Sequence, residues 1–376
     1  MTIKVSQGQL GKEELAEVKE AFEYGYYGMA YKTLEFEEAL RKYLGAKYVI
    51  AVNNCTSALH LAIDALGIGK GDEVITPSLT FVGAFQAISA TGATPVPVDI
   101  YPDTLLIDIE DLRRKITPRT KAIMPVHYAG NPCDLDALAK IAGEHKLRII
   151  EDAAHAFGSS YKGRKIGSFG DIICFSFDSI KNITCGEGGA VICQQPELAD
   201  ILSQKRLCGM KRPSQGSTEW KERVPSVEVN TQGYRYHMSN INAGIGLAQL
   251  KKIDSFIARR REICRKYDRA FKNVPQINCL SINYDNVAPH IYVIRVKNGL
   301  RDKLMEYLKN LDIETGINYR PNHLHKFYSH LEASLPETEK AYKEMLTIPL
   351  HCGLSDDDVD KVIQGITDGL KKLASG

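Results

Sequence analysis

The chain has 376 residues, 44% of them hydrophobic and 25% charged, which is typical of a globular protein with room for one large domain and a smaller one. Its 48 Lys and Arg residues nearly balance its 46 Asp and Glu residues, and the formal charge is +2. Because the basic residues are also scattered, the sequence argues against a nucleic-acid or membrane partner.

Apolar residues at helical spacing predict two amphipathic helices at the start of the chain, over residues 12–24 and 33–44. Seven strand-like runs follow, at 48–52, 73–77, 94–99, 121–127, 147–151, 172–177 and 190–193. Helical patterns separate most of them, at 57–66, 81–91, 109–115 and 134–145. The last two runs have no helix between them, so we expect one of these strands to be antiparallel.

This alternation predicts an α/β fold, with a mostly parallel mixed sheet flanked by helices. Beyond it, residues 212–229 are polar and are predicted as an irregular loop, and a long helix from about 241 past 264 is predicted to link two domains. A strand at 290–296 and helices at 300–311 and 355–373, the last capped by Ser355, indicate a smaller α+β domain. We therefore predict a large domain over 1–250 and a small one over 251–376.

Two segments carry the candidate chemistry. An apolar run ends in Asp152, and another delivers Ser176 and Lys181 before a glycine-rich turn at 186–189. Pyridoxal phosphate needs a lysine for a Schiff base, an acid beside its pyridine nitrogen, and hydroxyl or N–H groups for its phosphate. Alone, Asp152 is more simply a helix cap and Lys181 a surface charge. Their combination in one region favours this cofactor.

Two further segments follow predicted strands at the same edge of the sheet. Thr56 and Ser57 begin a helix directly after the first strand and could hold a phosphate, although a plain helix cap is the alternative. Phe81 follows the second strand and could stack on a planar cofactor, or be an ordinary core residue. No G-x-G-x-x-G or Walker fingerprint occurs, which disfavours a dinucleotide oxidoreductase or a Walker-type nucleotide site.

The cysteines and the chain start bear on the compartment. The nine cysteines include no C-x-x-C pair and no Cys/His metal spacing, and Cys174 and Cys193 lie inside apolar runs as small core residues would. The first residues lack a signal-peptide apolar region, and no run approaches a membrane span. These features predict a reducing cytoplasm and no metal site.

Over nearly its whole length the chain resembles the DegT/DnrJ/EryC1/StrS sugar aminotransferases, which have the fold type I architecture of aspartate aminotransferase. The resemblance is carried by the motifs at 55–62, 71–81, 151–155, 175–182, 186–189 and 348–351. It implies pyridoxal 5′-phosphate as the cofactor. It also implies transfer of an amino group, usually from glutamate, to a keto sugar linked to a nucleoside diphosphate.

The resemblance also implies roles for individual residues. Lys181 matches the Schiff-base lysine, which also moves a proton, and Asp152 matches the pyridinium partner. The residues implied at the cofactor are Cys55, Thr56, Phe81, Asp152, His155, Ser176, Lys181 and Arg235. Those implied at the substrate are Glu187, Tyr319, Arg320 and His323, with no firm role for Glu187.

Among the cofactor residues, Thr56 and Ser176 match phosphate ligands and Phe81 the stacking aromatic. His155 stands where the family often has Gln, facing the ring oxygen of the cofactor.

Three positions depart from the family pattern. Cys55 stands where glycine is usual, His237 stands where many members have Arg, and Arg235 stands where many have an Asn that reaches the cofactor phosphate across a dimer. The resemblance implies a homodimer with shared active sites.

The segment 234–240 favours amination at C4 of a 4-keto-6-deoxy sugar, with C3 amination as the alternative. A sugar dehydratase on the same fold is disfavoured because that branch replaces the lysine with His, and a regulatory, non-enzymatic member is disfavoured because Lys181, Asp152 and Ser176 are all present.

Overall fold

The structure, a computed structural model, describes residues 2–211 and 228–374. The helices there are α1 Lys12–Tyr24, α2 Tyr31–Leu44, α3 Cys55–Ala65, α4 Val82–Ala90, α5 Ile109–Arg114, α6 Leu135–His145, α7 Pro196–Lys205, α8 Asn240–Leu250, α9 Ile253–Phe271, α10 Arg301–Lys309, α11 Pro336–Glu344 and α12 Asp356–Ala374. The strands are β1 Tyr48–Val52, β2 Glu73–Pro77, β3 Thr94–Val98, β4 Thr120–Ile123, β5 Arg148–Asp152, β6 Ser160–Tyr161, β7 Arg164–Lys165, β8 Ile172–Ser176, β9 Gly189–Cys193, β10 Ile277–Cys279, β11 Tyr292–Val296 and β12 Met345–Ile348.

A seven-stranded sheet in the order β1-β9-β8-β5-β4-β2-β3 forms the centre of the fold. Strand β9 runs antiparallel to both its neighbours, and the remaining pairs are parallel. Both the predicted α/β class and the predicted antiparallel strand are confirmed. Strands β2, β8 and β9 are buried at every position, as expected for a sheet that helices cover on both faces. The carboxyl ends of β1, β2, β5 and β8 therefore lie at one edge.

The predicted strand at 121–127 is shorter in the structure. Strand β4 ends at Ile123, because Pro125 has no N–H to donate to a neighbouring strand. The chain then makes a tight turn in which Ala129 and Gly130 have positive φ values of 57° and 91°. A Cβ atom on Gly130 would lie 2.3 Å from the carbonyl oxygen of Ala288, so the close approach of these two backbones requires glycine.

The single long helix predicted from 241 past 264 is wrong. Two helices, α8 and α9, are separated by a turn at Lys251 and Lys252. Tertiary contacts hold the turn, since Lys252 Nζ lies 2.8 Å from Glu14 Oε1 and Gln249 Nε2 donates to the same carboxylate at 2.8 Å. The local sequence contains no glycine or proline that would have signalled the break.

The C-terminal part carries a three-stranded antiparallel sheet in the order β10-β11-β12 with its own apolar core. Ser355 caps α12 as predicted, because its Oγ accepts from Asp358 N at 3.1 Å and Asp358 Oδ2 accepts from Ser355 N at 3.1 Å. The domain division at 250/251 stays a prediction. The polar loop predicted over 212–229 lies almost entirely outside the described residues. Across the described ranges, no helix is long and apolar enough to cross a membrane.

A buried ion pair covers the outer edge of β1. Glu37 and Arg206 are both about 5% exposed and form an ion pair. The carboxylate accepts from Ala51 N at 2.8 Å, and Arg206 Nη1 donates to Ala51 O at 2.7 Å. The pair thus satisfies the strand polar groups that β9, on the other side of β1, does not reach.

We expect Arg206→Met to lower the free energy of unfolding by about 3–5 kcal/mol, because the Glu37 carboxylate would stay buried without its counter-charge. The same substitution in an exposed pair, Arg113→Met beside Glu144, should cost below about 1 kcal/mol. Urea denaturation followed by circular dichroism measures both. Equal losses in the two variants would contradict the buried-pair interpretation.

Candidate active site

The carboxyl edge of the sheet collects the predicted cofactor residues. Asp152 is the last residue of β5 and Ser176 is the last residue of β8, the neighbouring parallel strand. Cys55 and Thr56 begin α3 just after β1, and Phe81 precedes α4 just after β2. Their convergence follows from the strand directions alone, since parallel strands end at the same edge.

Asp152 and Lys181 interact electrostatically in a desolvated environment. Burial raises the pKa of the Asp152 carboxyl, and the Ala154 N–H bond to its Oδ1 at 3.1 Å and the positive charge of Lys181 oppose that rise. Burial lowers the pKa of the Lys181 amine, and nearby groups, among them the Asp152 carboxylate, oppose that change. Each group therefore stabilises the charged form of the other, while burial increases the fraction of neutral lysine available as a base.

Lys181 is positioned by a short turn and by a residue distant in sequence. Its N–H donates to Asp178 O at 3.1 Å, and Ile180 N donates to Asp178 Oδ1 at 3.2 Å. Its Nζ lies 3.2 Å from Nε2 of His290. Sequence reasoning missed His290 as a site residue, because 109 positions separate the two and no local motif marks the histidine.

His155 and Tyr319 form a hydrogen-bonded pair beside Lys181. Ala129 N donates to His155 Nδ1 at 3.3 Å, so the ring proton lies on Nε2, which donates to the Tyr319 hydroxyl at 3.0 Å. Burial, and then the charge of Lys181, hold the pKa of His155 well below its usual range. The ring is therefore neutral, and the Tyr319 O–H remains able to donate to a further group. The Tyr319 ring lies 5.7 Å from that of Phe81.

The residues after Tyr319 are held against the loop that follows β2. Asn322 Nδ2 donates to the carbonyl oxygens of Ser78 and Thr80, at 3.0 and 2.9 Å. His323 Nδ1 lies 2.7 Å from Ser78 Oγ, and its buried ring reaches toward Glu339. These contacts fix Phe81 and Tyr319 relative to each other. Arg320 is exposed and donates to Leu324 O at 2.8 Å. The substrate roles expected for Arg320 and His323 stay predictions.

Two helix N-termini meet where a phosphate is expected. Asn54, not a hydroxyl residue, caps α3 by accepting from Ser57 N at 2.8 Å, so capping does not require the Thr56 hydroxyl. A Cβ atom on Gly83, in the first turn of α4, would lie 2.5 Å from Thr56 Oγ1. The glycine therefore lets α4 approach Thr56 closely. Free N–H groups, two positive dipole ends and the hydroxyl suit a dianion.

Two of the remaining predicted residues are exposed. Glu187 and Arg235 both lie on the surface, and among residues 2–211 and 228–374 no hydrogen bond joins either of them to Lys181. The backbone of Arg235 pairs with Leu207, and that of His237 pairs with Val52 at the end of β1. Cys55 is buried at the start of α3, and burial keeps the pKa of its thiol well above the usual range, so it remains an uncharged thiol.

Comparison with known proteins identifies the family. The model of the DegT/DnrJ/EryC1/StrS aminotransferase family matches residues 8–367. The chain belongs to this family. It is 41% identical, over 96% of this chain and 95% of the relative, to the spore coat polysaccharide biosynthesis protein SpsC of Bacillus subtilis (strain 168).

Two solved structures show the same fold. The aminotransferase TlmJ from Streptoalloteichus hindustanus matches with a TM-score of 0.92 and 37% identity, over 99% of this chain and 100% of that one. The PLP form of the sugar aminotransferase Spr1654 from Streptococcus pneumoniae matches with a TM-score of 0.91 and 30% identity, over 99% and 100%. The protein is accordingly a sugar aminotransferase of the DegT/DnrJ/EryC1/StrS family, and its cofactor is pyridoxal 5′-phosphate.

The residues of this aminotransferase fit that cofactor. Lys181 has the amine that would form the covalent linkage, and Asp152 has a buried carboxylate that would face the pyridine nitrogen. Thr56, Ser176 and the N-termini of α3 and α4 would supply hydroxyl and N–H donors for the phosphate. Within the described ranges, no cluster of His, Cys, Asp and Glu side chains is arranged to hold a metal ion.

We expect Asp152→Asn, which keeps the shape but removes the charge, to lower turnover by about a hundredfold or more. The amide cannot stabilise a protonated pyridine nitrogen, and each ~1.4 kcal/mol of lost transition-state stabilisation is about tenfold in rate. Steady-state kinetics measure the loss, and cofactor content and circular dichroism control for binding and folding. Turnover near that of the native enzyme would mean that another acid serves the ring.

Proposed function

We propose that this aminotransferase moves an amino group from glutamate to C4 of a nucleotide-linked 4-keto-6-deoxyhexose, and that it works as a homodimer with shared active sites in the cytoplasm. The observation that carries the proposal is the position of the 234–240 segment. Tyr236 O accepts from Asn53 N at 2.7 Å and His237 pairs with Val52. The segment that resembles those of C4-aminating enzymes thus lies at the end of β1, and its exposed Arg235 is the residue that we propose reaches the site of the partner subunit.

The chemistry divides between the cofactor and the chain. When bound, pyridoxal phosphate supplies an electron sink in its protonated ring. Asp152 would hold the proton at the pyridine nitrogen, and Lys181 Nζ would move a proton between the substrate carbon and the cofactor carbon. Thr56 and Ser176 hold the phosphate, which fixes the ring against the lysine. The Phe81 side chain is 54% exposed and its ring lies 5.7 Å from that of Tyr319, so the Phe81 ring can be covered by a planar cofactor that stacks on it.

Two exposed residues, Arg320 and Glu187, support a nucleotide-linked substrate. Arg320 is exposed on the segment that follows Tyr319, and its guanidinium can present two N–H groups to a diphosphate. Glu187 is exposed on the glycine turn near Asp178, and burial, together with the charge of Asp178, raises the pKa of its carboxyl. A carboxyl at this position can accept a hydrogen bond from a sugar hydroxyl. The free state of all nine cysteines fits the proposed reducing compartment.

A panel of nucleotide-linked sugars tests the substrate. The enzyme is incubated with glutamate and matched 4-keto and 3-keto isomers on different nucleotides, and mass spectrometry detects the amine. We expect amine from the 4-keto-6-deoxy sugars at rates at least about tenfold above the 3-keto isomers, the difference that ~1.4 kcal/mol of transition-state binding gives. Lys181→Ala controls for non-enzymatic amination. Preferred conversion of the 3-keto isomers would replace C4 with C3.

Subunit mixing tests the shared site. We expect Lys181→Ala and Arg235→Ala each to be nearly inactive, and an equal mixture, unfolded and reassembled, to recover about one quarter of native activity. Half of the random dimers are mixed, and each mixed dimer has one intact site of two if Lys181 and Arg235 come from different chains. Native mass spectrometry confirms the exchange. An exchanged mixture without recovered activity would place Arg235 in the same site as its own Lys181, or outside the site.

A further inference from the structure

His290 occupies a fixed position against Lys181. Its side chain is 2% exposed and its Nε2 lies 3.2 Å from Lys181 Nζ. The backbone on either side of the ring is held, because its N–H donates to Ala129 O at 3.2 Å and its carbonyl oxygen accepts from Arg260 Nη1 at 3.0 Å. The ring therefore has little freedom to move away from the lysine.

The groups around His290 keep the ring uncharged. Burial holds the pKa of His290 well below the usual range, and the positive charges of Lys181 and Arg260 act in the same direction. The ring of His155 is also close, with its centroid 4.4 Å from that of the His290 ring. The carboxylates of Asp152 and Asp178 act on Lys181 itself. A neutral ring facing an amine can accept a hydrogen bond through its unprotonated nitrogen.

The remaining nitrogen of the ring constrains the tautomer. His290 Nδ1 is buried and has no hydrogen-bond partner among residues 2–211 and 228–374. If Nε2 accepts from the lysine, the ring proton lies on Nδ1, and this buried N–H then lacks an acceptor at some cost in stability. If the side chain only filled space, a leucine would do so without the free-energy cost of burying an unpaired polar atom.

We propose that His290 is a positioning residue for the catalytic amine: its Nε2 accepts a hydrogen bond from Lys181 Nζ and so sets the direction of the nitrogen lone pair. This inference rests on the proposed role of Lys181 as the group that moves the substrate proton. A lysine side chain is a flexible chain of four carbons that ends in an ammonium group, and this group rotates freely. One fixed acceptor removes most of that freedom, and proton transfer depends on such alignment.

Three substitutions separate positioning from packing. In His290→Gln the side-chain amide reaches the place of Nε2 and can still accept from Lys181. In His290→Asn the amide reaches only the place of Nδ1, which makes no contact with the lysine. His290→Leu keeps the volume and removes both polar atoms. A positioning role predicts that Gln preserves the properties of Lys181 and that Asn and Leu change them alike.

The pKa of Lys181 is the decisive measurement, made on the full chain after removal of the cofactor. Brief labelling with acetic anhydride across a pH series, followed by peptide mass spectrometry, titrates Lys181, with the exposed Lys19 as an internal standard. We expect His290→Leu and His290→Asn to lower the pKa of Lys181 by about one unit. The charged form of the lysine would lose one hydrogen bond, and the usual strength of such a bond corresponds to about one pKa unit. His290→Gln should stay within about 0.3 unit of the native value by the same reasoning.

Two other results would overturn the proposal. An unchanged pKa in all three variants would show that His290 only packs against the lysine. A raised pKa in the Leu variant would show that the native ring donates to the neutral amine instead of accepting from it. If the Leu variant does not fold, the Asn and Gln pair decides the matter alone. Because the titration uses neither cofactor nor sugar, its outcome is independent of the substrate panel.

Kinetics provide a second readout. With α-deuterated glutamate as the amino donor, we expect the isotope effect on the first half-reaction to increase in the Asn and Leu variants and not in Gln, since misalignment slows the proton-transfer step itself. An equal isotope effect in all variants, together with an unchanged pKa, would reject the positioning role. If glutamate proved not to be the donor, the cofactor-free titration would still stand.

Discussion

The site depends on two opposite charges that are removed from water at the same edge of the sheet. Asp152 is the last residue of β5, and Lys181 lies in the turn after β8, the neighbouring parallel strand. Burial disfavours the charged form of both side chains. Neither group would stay charged alone in such a place, and each favours the charge of the other. The order of the strands therefore determines the chemistry, because any other neighbour for β5 would leave the carboxylate without this amine.

The C-terminal part of the chain completes the site rather than only covering it. Tyr319 contacts His155, and Asn322 binds the carbonyl oxygens of Ser78 and Thr80. Those two carbonyls belong to the loop after β2, where the strand ladder has ended and backbone groups need other partners. One asparagine amide satisfies both. The same contact that removes unpaired polar groups thus holds Phe81 and Tyr319 near each other, with their ring centroids 5.7 Å apart.

Much of the fold was predictable from sequence, and the reason is local. The seven strands of the central sheet are short apolar runs that polar or glycine-rich segments bound, so their positions along the chain could be predicted. The missing helix between the last two strands predicted that one of them is antiparallel. Asp152, Ser176, Lys181, Thr56 and Phe81 could be found because each ends a strand or lies shortly after one, whereas Cys55, His155 and Arg235 were named only from the family resemblance. The break between α8 and α9 could not be found, because carboxylates of α1 fix it from the other end of the chain. The contact of His290 with Lys181 is equally non-local, and the placement of His323 behind Ser78 has no signature in its own segment.

Histidine at position 155 fixes a hydrogen-bond direction that glutamine would leave open. A glutamine amide carries a donor and an acceptor that can exchange places by a flip, so its polarity depends on its neighbours. The ring of His155 has Nδ1 committed to the N–H of Ala129, a backbone donor that cannot reverse. Its Nε2 must then donate, and the Tyr319 hydroxyl must accept from it. The Ala129 N–H beside Gly130 therefore determines the donor direction of His155, and His155 determines that of Tyr319. The proton left free to donate in the site is that of the Tyr319 hydroxyl. The close packing that requires glycine at position 130 therefore also determines which way the site can offer a proton.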